Sequence, residues 1–151
     1  MRKIILISLL VCLFGVPELL SQVKPVATVK ITFKGLRNNK GIVAIGLHNS
    51  PKGWHKKPEM EPNWSKKDMK DGTLTVRLEN LEYGTYAFSM MDDEDANLEM
   101  DKFMGLPREG FAFSRNPKVG MSVPKFDECS FLVDTMVVEL VVEVIYKGKG
   151  T

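Results

Sequence analysis

Apolar and polar residues alternate with period two along most of the chain, and no segment sustains a helical period, so the pattern predicts strands. Across residues 26–34, Val29, Ile31 and Phe33 share one face, while Lys30, Thr32 and Lys34 share the other. Residues 35–41 hold Arg37-Asn38-Asn39-Lys40 between two glycines and read as a turn, which makes residues 41–48 (GIVAIGLH) a second strand expected to pair with the first as a hairpin. Residues 73–78 place Leu74, Val76 and Leu78 inward; residues 84–91 and 131–134 add two more strands. The clearest strand is the last, residues 136–146, with Met136, Val138, Leu140, Val142, Val144 and Tyr146 on one face. The expectation is an all-β, antiparallel β-sandwich of about seven strands. Two long connections, residues 49–72 and 92–125, interrupt it. Connections of that length are functional or carry short structure of their own. The run Leu81-Glu82-Tyr83-Gly84-Thr85-Tyr86 predicts a tyrosine corner, in which the Tyr86 ring is buried and its hydroxyl returns to nearby backbone.

The N-terminus departs from this pattern. Met1-Arg2-Lys3 precedes an uncharged apolar run from Ile4 to Val16, followed by Pro17, Glu18 and the small Ser21. That is the build of a secretory signal peptide over residues 1–21, which leaves residues 22–151 as a single domain. The run is too short to span a bilayer, which takes about 20 apolar residues, so the mature chain is expected to carry no transmembrane segment. Cys12 lies inside the apolar run behind Val11, not behind a small residue, and does not read as a lipid-anchor site. Losing Arg2, Lys3 and Glu18 with the leader leaves 19 basic and 18 acidic residues. A charge so near balance gives no electrostatic reason for a nucleic-acid partner. The mature chain retains only Cys129, so an internal disulfide is excluded and packing must hold the domain together.

Candidate chemistry concentrates in one place. Residues 92–101 hold six carboxylates in ten positions, and no base appears until Lys102. Asp93, Asp95, Asn97 and Asp101 fall at relative positions 1, 3, 5 and 9 of a calcium loop, and Glu99 sits where a backbone carbonyl serves. Leu98 replaces the glycine of such loops and Met104 the bidentate glutamate, so a further ligand has to come from Asp92, Glu94, Glu109 or water. The expected metal set is therefore Asp93, Asp95, Asn97, Glu99 and Asp101, and the expected cofactor is weakly held calcium.

The stretch DDEDANLEMDKFMGLPREGFAFSRN resembles the signature of an exported bacterial family, the domain-of-unknown-function family 2141. That signature is an Asp/Asn-rich turn followed by G-[IL]-P-x-E-G-[YF]-x-F-S-N-N. Gly105-Leu106-Pro107, Glu109-Gly110-Phe111 and Phe113-Ser114 match it, and Gly41-Ile42-Val43, Leu81, Gly84, Tyr86 and Pro124 fall where the pattern puts them. In the turn the family favours Asn-Gly pairs, whereas this chain has Asp95-Ala96 and Asn97-Leu98. The resemblance implies export and a β-sandwich and carries no established activity.

Outside the loop, Trp54 and Trp64 stand among lysines and are weak candidates for a ligand-stacking surface toward a glycan or a protein; covering the ends of the sandwich is the simpler role. Ser114 lacks a G-x-S-x-G elbow, and only His48 and His55 are available as bases. Two histidines and one mature cysteine do not supply the four ligands of a structural zinc. Cys129, between Phe126 and Phe131, reads as a small buried hydrophobe. The sequence points to a secreted or periplasmic, non-enzymatic module of immunoglobulin/transthyretin-like build, calcium-stabilised, that binds an extracellular or periplasmic ligand. The alternative is a secreted hydrolase of an extracellular polymer using two of the clustered carboxylates as acid and base.

Overall fold

A computed structural model describes residues 24–147; the signal peptide expected over residues 1–21 lies outside them. β1 (Val26–Lys34) buries Ala27, Val29, Ile31 and Phe33 and turns the intervening polar residues outward. β2 (Ile42–His48) does the same with Val43, Ile45 and Leu47. There follow β3 (Asn63–Ser65), a 3-10 turn (Lys66–Asp68), β4 (Thr73–Glu82), β5 (Gly84–Asp93), the two-residue β6 (Lys102–Phe103) and β7 (Leu106–Pro107), β8 (Gly110–Phe113), a single helical turn α1 (Phe126–Cys129), β9 (Phe131–Val133) and β10 (Val137–Glu143). No helix among the described residues is long and apolar enough to cross a membrane.

The strands form a sandwich. The smaller sheet has the order β10-β1-β4, the larger β3-β2-β5-β8, and β9 adds to β5 beside β8. The inward faces meet in one core, where the rings of Phe33 and Phe88 pack edge to face with centroids 6.2 Å apart. Truncating either ring to alanine would cost about 3–5 kcal/mol. The tyrosine corner forms, with its ring half-buried against the core: the Tyr86 hydroxyl donates to the Glu82 carbonyl at 3.0 Å. A second apolar cluster lies on the outer face of the larger sheet, where Trp54 and α1 cover Ala87 and Phe113.

Three local expectations need correction. β1 and β2 are not a hairpin; β1 pairs with β4 and β10 in one sheet, β2 with β3 and β5 in the other. The connection between them crosses the edge of the sandwich, with Gly35 and Gly41 both at positive φ. A Cβ at Gly41 would collide with the backbone of Asp93 and Glu94, so this close approach requires glycine. Pairing is also not wholly antiparallel, because β10 runs parallel to β1 from Thr28↔Val137 to Lys34↔Glu143. Finally, residues 92–125 are not one long connection: β5 continues to Asp93, and Gly110–Phe113 is a sheet strand. The other edge of β10 is partly closed by Asn116, whose side chain donates to the Val141 carbonyl at 2.9 Å and accepts from the Glu143 amide at 2.8 Å, satisfying edge groups that would otherwise invite another strand.

Candidate functional site

Strand geometry separates the two aspartates that end β5. Alternate side chains point to opposite faces, so Asp92 follows Phe88 and Met90 inward while Asp93 points outward. Both are fully buried.

Asp93 organises the loop that follows. Its carboxylate accepts from the Asn97 and Leu98 amides at 3.2 and 2.8 Å. Asp95 accepts from the amide and the side chain of Asn97, and Asn97 in turn accepts from the Glu99 amide at 2.6 Å. These local bonds hold Ala96 and Leu98 at φ of 59° and 63°, a conformation that costs an L-residue about 1 kcal/mol or more. The turn thus keeps a left-handed backbone at both positions without glycine. Glu109, 4 % exposed at the start of the family-like E-G-F run, staples the loop: it accepts from the Glu94 amide at 2.9 Å and the Asp101 amide at 3.1 Å. Burial raises the Glu109 pKa, the charges of Asp93 and Asp101 add to the rise, and the two amides oppose it. Arg37 clamps the loop from outside, with Nε 2.5 Å from Glu94 and Nη2 donating to the Arg108 carbonyl at 3.2 Å. Burial pushes Glu94 upward, yet Arg37 outweighs it and holds the carboxyl below its ordinary value.

Carboxylate oxygens of Asp93, Asp95 and Glu109 lie within 4.8 Å of one another, a cluster that can hold a metal ion. Of the five expected ligands, the fold brings Asp93 and Asp95 together and adds Glu109, which the sequence offered as a supplementary ligand. Asn97 is engaged within the turn, and Glu99 and Asp101 are exposed and stand outside the cluster. Three carboxylates converging on one point suit a hard cation. An acid–base pair for hydrolysis instead needs two groups facing each other across the scissile bond.

The loop also walls a groove of about 850 Å³ on the outer face of the larger sheet. It is lined by Ala44, Gly46, Ser89, Met91 and Phe111 of the sheet, by Leu98, Met100, Leu106 and Pro107 of the loop, and by Val119, Met121 and Val123 from the segment after β8. Lys147 ties the far end, its amine donating to the Gly120 carbonyl at 2.5 Å. Leu106 is 53 % exposed and Met121 fully so. Sequence reasoning missed this groove because its lining is gathered from many segments far apart in the chain.

The two tryptophans are half-buried on opposite faces of the larger sheet. Trp64 sits across from Val43 and packs on the inner core. Trp54 lies on the outer cluster against Phe113, Phe126 and His48, its indole N–H donating to the Pro124 carbonyl at 2.8 Å. Ser114 is fully buried, accepts from the Phe88 amide at 2.9 Å and donates to the Cys129 carbonyl at 2.6 Å, so its hydroxyl is a brace between β5 and α1.

These features define a β-sandwich domain with an acidic turn at one end and an apolar groove beside it. The chain belongs to the family described as an uncharacterised protein conserved in bacteria (DUF2141), whose match covers residues 31–140. No curated protein and no solved structure matches the chain.

Proposed function

We propose that this chain is an exported, non-enzymatic binding module that takes a small apolar ligand in the groove on the outer face of the larger sheet. The groove carries the reading: about 850 Å³ falls within the range of small-molecule sites, and its lining is mostly apolar with some polar groups among it. Exposed apolar side chains are grouped at its rim, where a protein with no use for them would be expected to be polar. The acidic loop serves as the wall's fastening, with calcium joining Asp93, Asp95 and Glu109 at a Kd on the order of 10⁻⁴ to 10⁻³ M. Export rests on the leader-like residues 1–21 and places the ligand in the periplasm or outside the cell.

Titration with an apolar solvatochromic dye, followed by native mass spectrometry, tests the reading. One dye should bind per chain, and Leu106→Asp and Met121→Asp should each weaken binding about tenfold or more, a loss of at least 1.4 kcal/mol. Both side chains are exposed, so melting should be unchanged. Absence of binding, or binding indifferent to both substitutions, would overturn the assignment.

A further inference from the structure

The inward aspartate, Asp92, belongs to neither the groove nor the metal cluster. Lys66 opens the 3-10 turn in a run of exposed lysines, yet its own side chain is fully buried and meets Asp92 Oδ1. Among the described residues this is the ion pair with both partners wholly shut from water. The surroundings are oriented too. The Lys66 amine lies 3.4 Å from Asn38 Oδ1, and the Tyr146 hydroxyl donates to the other Asp92 oxygen. Tyr146 reaches that position by lying over Gly110, where a Cβ would come within 2.6 Å of the ring. Burial, and then the bond to Asp92, raise the Tyr146 pKa, so the hydroxyl stays a donor. A buried ion pair is a poor device for stability, because desolvation of both charges offsets their attraction. A packed amine and carboxyl in a dry interior have another available chemistry.

We propose that Lys66 and Asp92 condense into an intramolecular isopeptide bond. A proton passes from the Lys66 ammonium to the carboxylate, leaving a neutral amine whose lone pair attacks Asp92 Cγ. The Nζ–Cγ bond forms, and negative charge gathers on Oδ2, where the Tyr146 hydroxyl already donates. The Cγ–Oδ1 bond then breaks. Oδ1 leaves as water carrying two of the ammonium protons; the third remains on the amide nitrogen. The balance is one ammonium and one carboxylate giving one amide and one water, with no oxidant, metal or co-reactant. Fixed contact supplies the entropy that a bimolecular condensation lacks. The product closes a ring from residue 66 to residue 92, joining the turn after edge strand β3 to central strand β5. It gives the fold a covalent cross-link of a kind that Cys129, with no second cysteine among the described residues, does not supply.

Intact-mass spectrometry of the folded, purified chain decides the matter. The wild type should be lighter than its sequence by one water, and proteolysis should yield a branched peptide joining Lys66 to Asp92. Lys66→Arg and Asp92→Ala should show full mass, and Tyr146→Phe should form the bond roughly 100-fold more slowly. Full mass in the wild type after prolonged incubation would overturn the proposal, whether or not any variant folds. So would a lost water that maps to other residues or persists in Lys66→Arg.

Discussion

Calcium should stabilise this domain through Asp93, Asp95 and Glu109, and the size of the effect can be worked out. Without a cation, three carboxylate oxygens sit within 4.8 Å of one another, repelling while their outer lone pairs are occupied by amides. Three protein ligands completed by water make a weak site, with Kd on the order of 10⁻⁴ to 10⁻³ M. A ligand bound only by the folded state adds RT ln(1 + [L]/Kd), about 1–2 kcal/mol at roughly 5 mM calcium. For a domain of this length that raises Tm by about 3–10 °C. The effect has a pH signature. The folded Glu109 pKa is raised above its ordinary 4.5 by burial first and by Asp93 and Asp101 next, so the folded state holds its proton longer than the unfolded state. Metal-free stability therefore falls as pH rises from about 4.5 through the raised value. Calcium requires the ionised group, so its increment should grow across that same window. Differential scanning calorimetry with calcium, magnesium or sodium chloride reads all of this. Asp95→Asn is the clean perturbation, since Asp95 is exposed; it should abolish the calcium response and cost little in metal-free buffer. A Tm indifferent to calcium, or equal responses to calcium and magnesium, would refute the reasoning, because mere screening does not distinguish the two ions.

Two further predictions concern buried groups. Cys129 is fully buried and its thiol is pushed up to about 11 by burial, with Glu128 adding to the rise; a thiol reagent should label it slowly in the native state and promptly in denaturant, and fast native labelling would disprove its burial at the end of α1 against the outer cluster. His48 is fully buried with neither ring nitrogen hydrogen-bonded. Burial lowers its pKa from 6.5, His55 lowers it further, and Glu59 opposes them at 3.6 Å. The unfolded chain takes a proton that the buried ring refuses, so stability present above about pH 6.5 is lost as pH falls through the folded value, by at most about 1.4 kcal/mol per pH unit. Denaturation midpoints measured against pH should show that slope in the wild type and a flatter one in His48→Phe; equal slopes would count against it.

What was legible in the sequence was whatever depends on a residue's own strand. Val29, Ile31 and Phe33 declared their face by alternation, and Leu81, Gly84 and Tyr86 declared the corner. Alternation says which face a side chain takes and nothing about which strand lies alongside, which is why the β1–β10 parallel pair was hidden and a β1–β2 hairpin expected. β8 was obscured for another reason: four residues, GFAF, buried from both sides, have no period to read. In the site, Asp93 and Asp95 were marked by spacing, while Glu109 was one of several supplementary candidates until the fold returned it to the loop beside them. Lys66 bore no mark at all. A lysine among lysines looks solvated, and only the pairing of β3 with β2, which carries the following turn to Asp92 on β5, shows that this one is not.

The placement of the family-like signature bears on where specificity resides. Gly105, Leu106 and Pro107 lie in the β6–β7 hairpin, Glu109 staples the loop, and Gly110 makes room for Tyr146. Phe113 founds the outer cluster, Ser114 braces β5 to α1, and Asn116 closes the edge of β10. Almost every member thus has an architectural task, and the tasks converge on fixing one groove wall and the closing strand. Gly105, Leu106, Pro107, Phe111 and Phe113 also line the groove. Met121 and Val123 line it from outside the signature, and Leu98 and Met100 from its acidic turn, at positions where the pattern names acids and asparagines but neither of these two. On the proposed reading of the groove, a chain that keeps the signature keeps the frame, and varying those other residues would change the ligand without disturbing the fold. Met100 and Met121 fit such a role, because an unbranched thioether adapts to ligand shape at little cost. On this reasoning, exchanging Met121 and Val123 for polar residues should shift ligand preference at constant stability, whereas changing Glu109 should loosen the frame itself.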